Sequence, residues 1–209
     1  MKKEIPSMVK DWQLIKKRRE QLIEAAVQLM IVKGYHGTTT REIARAAGFS
    51  IGTLYEYIET KEDVLYLVCE HIHADVEEQL QAIISDIPAG KAGLEQAIRQ
   101  FITMMDQMSD QVLLIYQESK ALPKEMLRYV LAKELCITKI FETFIQRVAM
   151  EGSLPITAET IPLMAHNIVV LGQMWAFRRW ALRKQYSLES YIQEQTHFLI
   201  RSILVQEVD

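Results

Sequence analysis

The chain has 209 residues, of which 49% are hydrophobic and 24% charged, and its formal net charge is −3. This composition is ordinary for a folded protein, and it excludes both a disordered chain and a uniformly basic nucleic-acid protein. The longest apolar runs are too short or too interrupted to cross a bilayer, so we expect no membrane partner. No apolar segment follows the basic N-terminus as in a signal peptide, which predicts a cytoplasmic protein.

The two cysteines, Cys69 and Cys136, lie in apolar helical contexts and form no paired motif. We therefore expect both to be buried free thiols, as suits a reducing compartment.

Nearly every segment has helical periodicity, and none alternates as a strand would. The sequence therefore predicts an all-α fold of about nine helices, interrupted at Gly and Pro. The predicted helices cover residues 11–33, two short segments within 38–58, a long segment from 61 to just before Pro88, and then 91–108, 110–121, 123–150, 157–185 and 188–206.

The segment 38–63, TTTREIARAAGFSIGTLYEYIETKED, contains two short helices joined by a tight turn. Thr39 or Thr40 can cap the first helix, and Gly48 suits the left-handed residue that ends it. Ser50 can cap the second helix, and Thr60 with an acidic residue three positions later predicts a third helix start. Two helices joined by a turn within about 20 residues form the helix-turn-helix that places a recognition helix in the DNA major groove.

The charge of the chain is unevenly distributed. Residues 1–61 hold 11 Lys and Arg against 7 Asp and Glu, whereas residues 62–209 hold 13 against 20. A basic N-terminal third followed by an acidic remainder is typical of a DNA-binding domain joined to a domain that does not bind DNA. Chance clustering of the run at residues 16–19 would give the same asymmetry.

The helix-turn-helix segment and its flanks resemble the DNA-binding head of the tetracycline-repressor (TetR/AcrR) family of bacterial regulators. The resemblance covers about 60 residues and is carried by Gly34-Tyr35, Thr38–Thr40, Ile43-Ala44, Ala47-Gly48, Gly52–Tyr55, Tyr57 and Lys61-Glu62. It implies an N-terminal arm (residues 1–15), a three-helix DNA-binding head (16–76, with the helix-turn-helix at about 39–58) and a larger helical body (77–209) for ligand binding and dimerisation.

The family resemblance also implies a function. We expect a homodimer that binds a palindromic double-stranded operator, usually represses transcription, and releases the DNA when a small molecule enters the body. The residues that would contact DNA are Thr39, Thr40, Ser50, Ile51, Gly52, Thr53, Tyr55, Tyr57 and Lys61. Hydroxyls and helix N-terminal amides are good phosphate ligands, which agrees with this set.

Direct base recognition by this recognition helix is expected to be weak. No Arg, Lys, Asn or Gln lies between Ser50 and Ile58, and these side chains make most specific base contacts. Operator choice would then depend on methyl contacts, on arm residues such as Arg18 and Arg19, and on DNA shape.

Methionines and aromatic residues are concentrated in the middle helices of the body. Such residues at helical spacing are usually plain core, but Met-rich surfaces also line adaptable apolar pockets. With the family resemblance, we predict a site for a largely apolar or acyl-chain-like effector. Its predicted lining is Phe101, Met104, Met105, Met108, Tyr116, Met126, Tyr129, Phe144 and His166.

The last two long helices are predicted to form the dimer interface, as a four-helix bundle with the partner. The predicted interface residues are Ile168, Leu171, Gly172, Trp175, Gln195, Phe198, Leu199 and Ser202. An alternative is that Trp175 and Trp180, with the arginines between them, form an anionic-ligand or membrane-surface patch.

No catalytic constellation, metal site or cofactor motif is visible, so we expect a protein that is not an enzyme. His73 with Glu77 could hold a metal weakly, although a solvated helix face explains the pair equally. An all-helical interaction module without DNA binding remains an alternative, as does a transcriptional activator of the same family.

Overall fold

The computed structural model describes residues 5–204, and within this range the chain folds into α-helices without any β-strand. This confirms the predicted all-α fold. Ten α-helices and one 3₁₀ turn (Ser119–Ala121) follow one another: α1 Trp12–Gly37, α2 Thr40–Ala46, α3 Ile51–Tyr55, α4 Lys61–Ser85, α5 Lys91–Gln107, α6 Ser109–Glu118, α7 Lys124–Glu151, α8 Ile161–Phe177, α9 Arg179–Leu182 and α10 Leu188–Leu204.

The helix boundaries differ from the prediction mainly near the C-terminus. The predicted helix 157–185 is two helices, because the backbone leaves helical geometry at Arg178 (φ −103°, ψ 15°). Regular α1 geometry is interrupted at Gly34 (φ 70°, ψ 168°), where the sequence predicts its end. The predicted end of the last helix at Gln206, and the first four residues of the arm, lie outside the described residues.

The predicted starts of α4 and α10 are confirmed by side-chain caps. The hydroxyl of Thr60 accepts from the backbone N–H of Asp63 at 3.1 Å, while the Asp63 carboxylate accepts from the Thr60 N–H at 2.8 Å. Ser187 caps α10 by accepting from the Ser190 N–H at 3.1 Å. Gly48 adopts the expected left-handed backbone, with φ 76°.

The chain forms two compact units. The first comprises the residues up to Ala74 together with Leu113–Lys133, and the second comprises Asp75–Val112 and the residues from Glu134 onward. In the first unit, α2 packs against α1 and α3. Its core is built from Leu22, Ala26, Met30, Ile43, Ala44, Leu54, Ile58, Leu65 and Val68.

In the second unit, α5 packs against α8 and α10. The rings of Phe101 and Phe141 meet edge to face at 5.0 Å in its core. The indole N–H of Trp175 donates to Asp106 at 2.6 Å, and Arg183 donates to the same carboxylate at 2.8 Å. These bonds fix the C-terminal ends of α5 and α8 to each other.

The two cysteines differ in environment. Cys69 is buried, as predicted, and burial raises the pKa of its thiol to about 12. The prediction for Cys136 is wrong, since this residue is exposed on α7. Between residues 5 and 204, no helix is both long and apolar enough to span a bilayer.

Candidate nucleic-acid interface

Helix α2 begins at a complete capping box. The Thr39 hydroxyl accepts from the Glu42 backbone N–H at 3.2 Å, and the Glu42 carboxylate accepts from the Thr39 backbone N–H at 2.9 Å. Lys33 donates to this carboxylate at 2.6 Å, and that bond, followed by those from Thr39, lowers the pKa of Glu42 to about 2. The box is therefore ionised at neutral pH, and the Thr39 side chain is engaged in capping the helix.

Two of the predicted phosphate ligands lie side by side. The Thr40 hydroxyl, at the first residue of α2, is 3.2 Å from the Tyr55 hydroxyl at the last residue of α3. Tyr55 is 42% exposed. Whichever hydroxyl donates within the pair, the other keeps its O–H free, and a free O–H can donate to the oxygen of a backbone phosphate.

The recognition helix α3 has only five residues. Ser50 caps it by accepting from the Thr53 N–H at 3.0 Å, and the two hydroxyls are 2.9 Å apart. Ile51 and Gly52 are exposed on its first turn. A Cβ atom added to Gly52 would meet only the Ser50 hydroxyl, at the ordinary distance of 3.7 Å. The chain's own packing therefore leaves open space in front of the Gly52 backbone.

Lys61 is held within the first unit. Its ammonium group lies 4.2 Å from the ring centre of Tyr35, whose hydroxyl donates to Glu62 at 3.0 Å. Partial burial lowers the pKa of Lys61, against the opposing charges of Glu62, Glu118 and Glu42. The cation is thus placed by an aromatic ring and neighbouring carboxylates at the start of α4.

Tyr57 and Arg19 are placed differently from the prediction. The Tyr57 side chain is only 4% exposed and lies in the core of the first unit, so it offers little surface to a phosphate. Arg19 was expected to help in operator choice, but its guanidinium donates to the carbonyl oxygens of Ile5, Pro6 and Tyr57. A sequence pattern could not have revealed this, because a basic run gives no sign of which backbone carbonyls lie nearby.

Three other arginines of the first unit lie near the recognition helix. Arg41 and Arg45 are exposed on α2, and neither is among the predicted DNA contacts. The guanidinium of Arg18 stacks over the Phe49 ring at 5.0 Å, next to the cap of α3. Three cations thus lie on α2 or beside the start of the recognition helix.

The nine predicted effector contacts are divided between the two units. Five of them are buried in the second unit: Phe101, Met104, Met105, Met108 and Phe144. Met126 and Tyr129 lie in the first unit, where Tyr129 donates to Glu70 at 3.1 Å. Tyr116 and His166 are exposed, so they do not lie with the buried side chains of the predicted lining, and their contact with an effector stays a prediction.

The predicted dimer residues divide between inner and outer faces of α8 and α10. The inner set is buried within the subunit and offers a partner little surface: Ile168, Gly172, Trp175 and Leu199. A Cβ atom on Gly172 would lie 2.5 Å from the Phe101 ring, which shows that Gly172 permits close approach of α5. Phe198 and Ser202 are exposed, and Leu171 and Gln195 are half-buried.

In the alternative of an anionic-ligand or membrane-surface patch around the two tryptophans, some of the side chains already have partners within the subunit. Trp175 is buried and donates to Asp106, and Arg179 forms an ion pair with Asp110. Trp180 is exposed and stacks with Arg178 at 5.5 Å. Over the described range, no three His, Cys, Asp or Glu side chains are grouped to hold a metal ion.

Residues 22–66 match the family model for bacterial regulatory proteins of the tetR family. The chain is 29% identical over 202 residues to the HTH-type transcriptional regulator HbdR of Aromatoleum sp. (strain CIB), covering 96% of this chain and 86% of that one. Its fold is similar to that of AibR in complex with isovaleryl coenzyme A and operator DNA (TM-score 0.70, 22% identity, 88% and 98% coverage). FadR from Bacillus subtilis in complex with stearoyl-CoA is also similar (TM-score 0.70, 19% identity, 87% and 97% coverage).

The family match covers the part of the chain in which the capped α2, the Gly48 turn and the whole of α3 lie. The relative that aligns along nearly the whole chain is itself a transcriptional regulator. The helix-turn-helix described above and these similarities lead to one conclusion: residues 22–66 form a DNA-binding domain of the tetR family of bacterial regulatory proteins.

Proposed function

We propose that this chain is a dimeric repressor that binds a palindromic operator through its head and releases it when an acyl-chain-like effector binds the body. The observation that carries the DNA-binding proposal is the exposed pair of hydroxyls on Thr40 and Tyr55. This pair lies beside the first turn of α3, which is capped by Ser50 and contains Gly52. Phosphate contacts of this kind fix the position of a protein along the DNA duplex. The bases are then recognised by those side chains of α3 that do not contact phosphates.

The effector proposal rests on the apolar core of the second unit. Five buried methionine and phenylalanine side chains come from α5, α7 and the residue that follows α5. Flexible thioethers can move aside to admit a chain of methylenes. AibR and FadR, whose folds are similar, were each solved with an acyl-coenzyme A. We therefore propose an acyl thioester as the effector class.

A DNA titration tests both parts of the proposal. Tyr55→Phe keeps the ring but removes one hydroxyl, so we expect roughly tenfold weaker binding to every duplex sequence. The probe is a duplex that the wild-type chain selects from a random-sequence library, measured by fluorescence anisotropy. Stearoyl-CoA or isovaleryl-CoA should release the wild-type chain from it, whereas coenzyme A alone should not.

Equal affinity of Tyr55→Phe and wild type would contradict the proposed phosphate contact. Release by neither acyl thioester would contradict the proposed effector class and leave the DNA-binding result intact.

The dimer is proposed to form through the outer faces of α8 and α10. Leu163 and Val170 of α8 and Phe198 of α10 are large apolar side chains that are more than half exposed. Leu163 and Ser202 line a single groove of about 130 Å³ between the two helices, so these faces adjoin. An apolar surface of this kind is typical of an obligate interface.

We predict that Phe198→Asp produces monomers, because it would bury an unpaired carboxylate at the centre of this face. Light scattering after size exclusion would measure the mass. Met150→Asp is the matched control, since Met150 is 88% exposed on α7 and its replacement should leave a dimer. A dimer that persists in Phe198→Asp would place the interface elsewhere.

A further inference from the structure

The recognition helix is too short to be stable alone. Helix α3 spans Ile51–Tyr55, and isolated helices of this length do not persist in water. Its cap and the following residue donate to the carbonyls of Thr53 and Leu54, which completes the last turn. The carbonyl oxygens of Glu56 and Tyr57 lie beyond this turn and need donors from elsewhere.

Residues 5–9 supply donors to the first of these carbonyls. The backbone N–H of Met8 donates to the Glu56 carbonyl at 2.9 Å, and the Ser7 hydroxyl donates to the same oxygen at 2.8 Å. The Ser7 hydroxyl in turn accepts from the Val9 N–H at 3.2 Å. Ile5, at the start of this segment, is buried. This part of the arm is therefore seated against the end of the recognition helix.

Arg19 of α1 supplies donors to the second carbonyl and to the arm itself. Its Nε and Nη2 atoms donate to the Tyr57 carbonyl at 3.1 and 2.9 Å. Its Nη2 atom also donates to the Ile5 carbonyl at 2.7 Å. One planar guanidinium thus joins α1, the arm and the residue that follows α3, which a flexible lysine ammonium could not do as well.

Burial and nearby carboxylates shift the pKa of the Arg19 guanidinium in opposite directions. Desolvation lowers the pKa of Arg19, while the charges of Asp63 and Glu70 raise it. Because an arginine pKa lies far above neutrality, the group stays charged and keeps all its donors. Its contacts are hydrogen bonds to neutral carbonyls, and such charge-assisted bonds are stronger than neutral ones.

We propose that Arg19 is a positioning residue for DNA binding, which holds residues 5–9 and the end of the recognition helix in the orientation that contacts DNA. The inference rests on the proposed function of the head. Arg19 acts through α3 and not by a phosphate contact, because its Nε and Nη2 donors already point at backbone carbonyls. The orientation of α3 also sets the place of the Tyr55 hydroxyl next to Thr40.

The test compares Arg19→Gln with Lys17→Gln, which removes the same charge from an exposed position of α1. The probe is the duplex that the wild-type chain selects from a random-sequence library, titrated at several salt concentrations. We expect Arg19→Gln to bind roughly tenfold more weakly than Lys17→Gln. Its salt slope should equal that of wild type, because loss of a phosphate contact would lower the slope by about one.

A second pair of variants covers the case in which Arg19→Gln fails to fold. Met8→Pro removes the N–H that donates to Glu56, whereas Met8→Ala keeps it and changes only an exposed side chain. We expect Met8→Pro to bind DNA more weakly than wild type, and Met8→Ala to bind it as wild type does. Where Arg19→Gln folds, combining it with Met8→Pro should weaken binding by less than the product of the single effects, because both loosen one contact. Hydrogen exchange of the Met8 amide should accelerate in Arg19→Gln.

The outcomes separate the inference from the function on which it rests. A wild-type chain that selects no duplex overturns the proposed function and the inference with it. Wild-type binding together with equal affinities of Arg19→Gln and Lys17→Gln overturns the inference alone. The inference is also overturned if Arg19→Gln lowers the salt slope and leaves the exchange rate of the Met8 amide unchanged. That result would mean that Arg19 contacts a phosphate directly.

Discussion

Replacing Gly93 by alanine should lower the free energy of unfolding by about 3 kcal/mol, because the new methyl group has no space. A Cβ atom at this position would lie 1.9 Å from the backbone carbonyl oxygen of Pro88 and 3.1 Å from the Ile87 side chain. The first of these contacts is with the main chain, so no rotamer change relieves it. The loop between α4 and α5 would have to move.

That loop is held from two sides. Arg147 of α7 donates to the carbonyl oxygens of Ile84 and Ile87 at 3.4 and 3.5 Å. The Ser153 hydroxyl accepts from the Lys91 N–H at 3.1 Å at the start of α5. Movement of the loop would weaken these bonds, which is why the expected cost exceeds the modest gain of alanine over glycine in a helix.

Thermal unfolding followed by circular dichroism measures this effect. For a chain of this size we expect the midpoint to fall by roughly 6 to 12 °C. Gly52→Ala is the matched control, because the same substitution in α3 meets only an atom at 3.7 Å. A midpoint for Gly93→Ala equal to that of wild type would show that the loop relaxes easily.

Gly52→Ala should instead weaken DNA binding by about tenfold while leaving the fold intact or slightly stabilised. Gly52 lies in the first turn of α3, where the free backbone N–H groups of a helix attract anions. No neighbouring group of the chain requires a glycine at this position. The absence of a side chain there lets the helix backbone approach a partner closely.

This variant is informative because stability and binding should move in opposite directions. The measurement pairs the unfolding midpoint with an anisotropy titration of the selected duplex. Full affinity in a stable Gly52→Ala protein would mean that the start of α3 is not in contact with DNA, and the orientation of the helix-turn-helix would then need revision.

The helix-turn-helix could be predicted in detail because its signals are local. The caps at Thr39, Ser50 and Thr60 and the left-handed Gly48 each depend on side chains within three or four residues. Such chemistry is written in the sequence itself. The all-α fold followed from helical periodicity in the same way.

The faces of α8 and α10 could not be predicted at the same level. Periodicity marks Leu163, Ile168, Val170 and Trp175 alike as apolar, but only the folded subunit shows that Ile168 and Trp175 face inward. A helix face that packs inside the subunit and a helix face that packs against a second subunit are both apolar, so composition does not distinguish them. The outer face is identified by exposure, which depends on how α5 packs against both helices.

Arg19 illustrates a second limit. A basic residue in the run at 16–19 is expected to face DNA, yet its partner carbonyl at Tyr57 lies 38 positions away in the chain. Backbone carbonyls are present at every residue, so no sequence pattern shows which of them will accept from a given arginine.

Because Cys69 is buried and Cys136 is exposed, one position of the unmodified chain can be labelled selectively for spectroscopy. A thiol reagent reacts with thiolate, and the raised pKa of the buried Cys69 keeps that residue protonated at ordinary pH. The exposed Cys136 on α7 would therefore take a spin label or fluorophore selectively. In the proposed dimer, the distance between the two labels could be measured with and without an acyl thioester, which would report movement of residues 77–209 without a single engineered substitution.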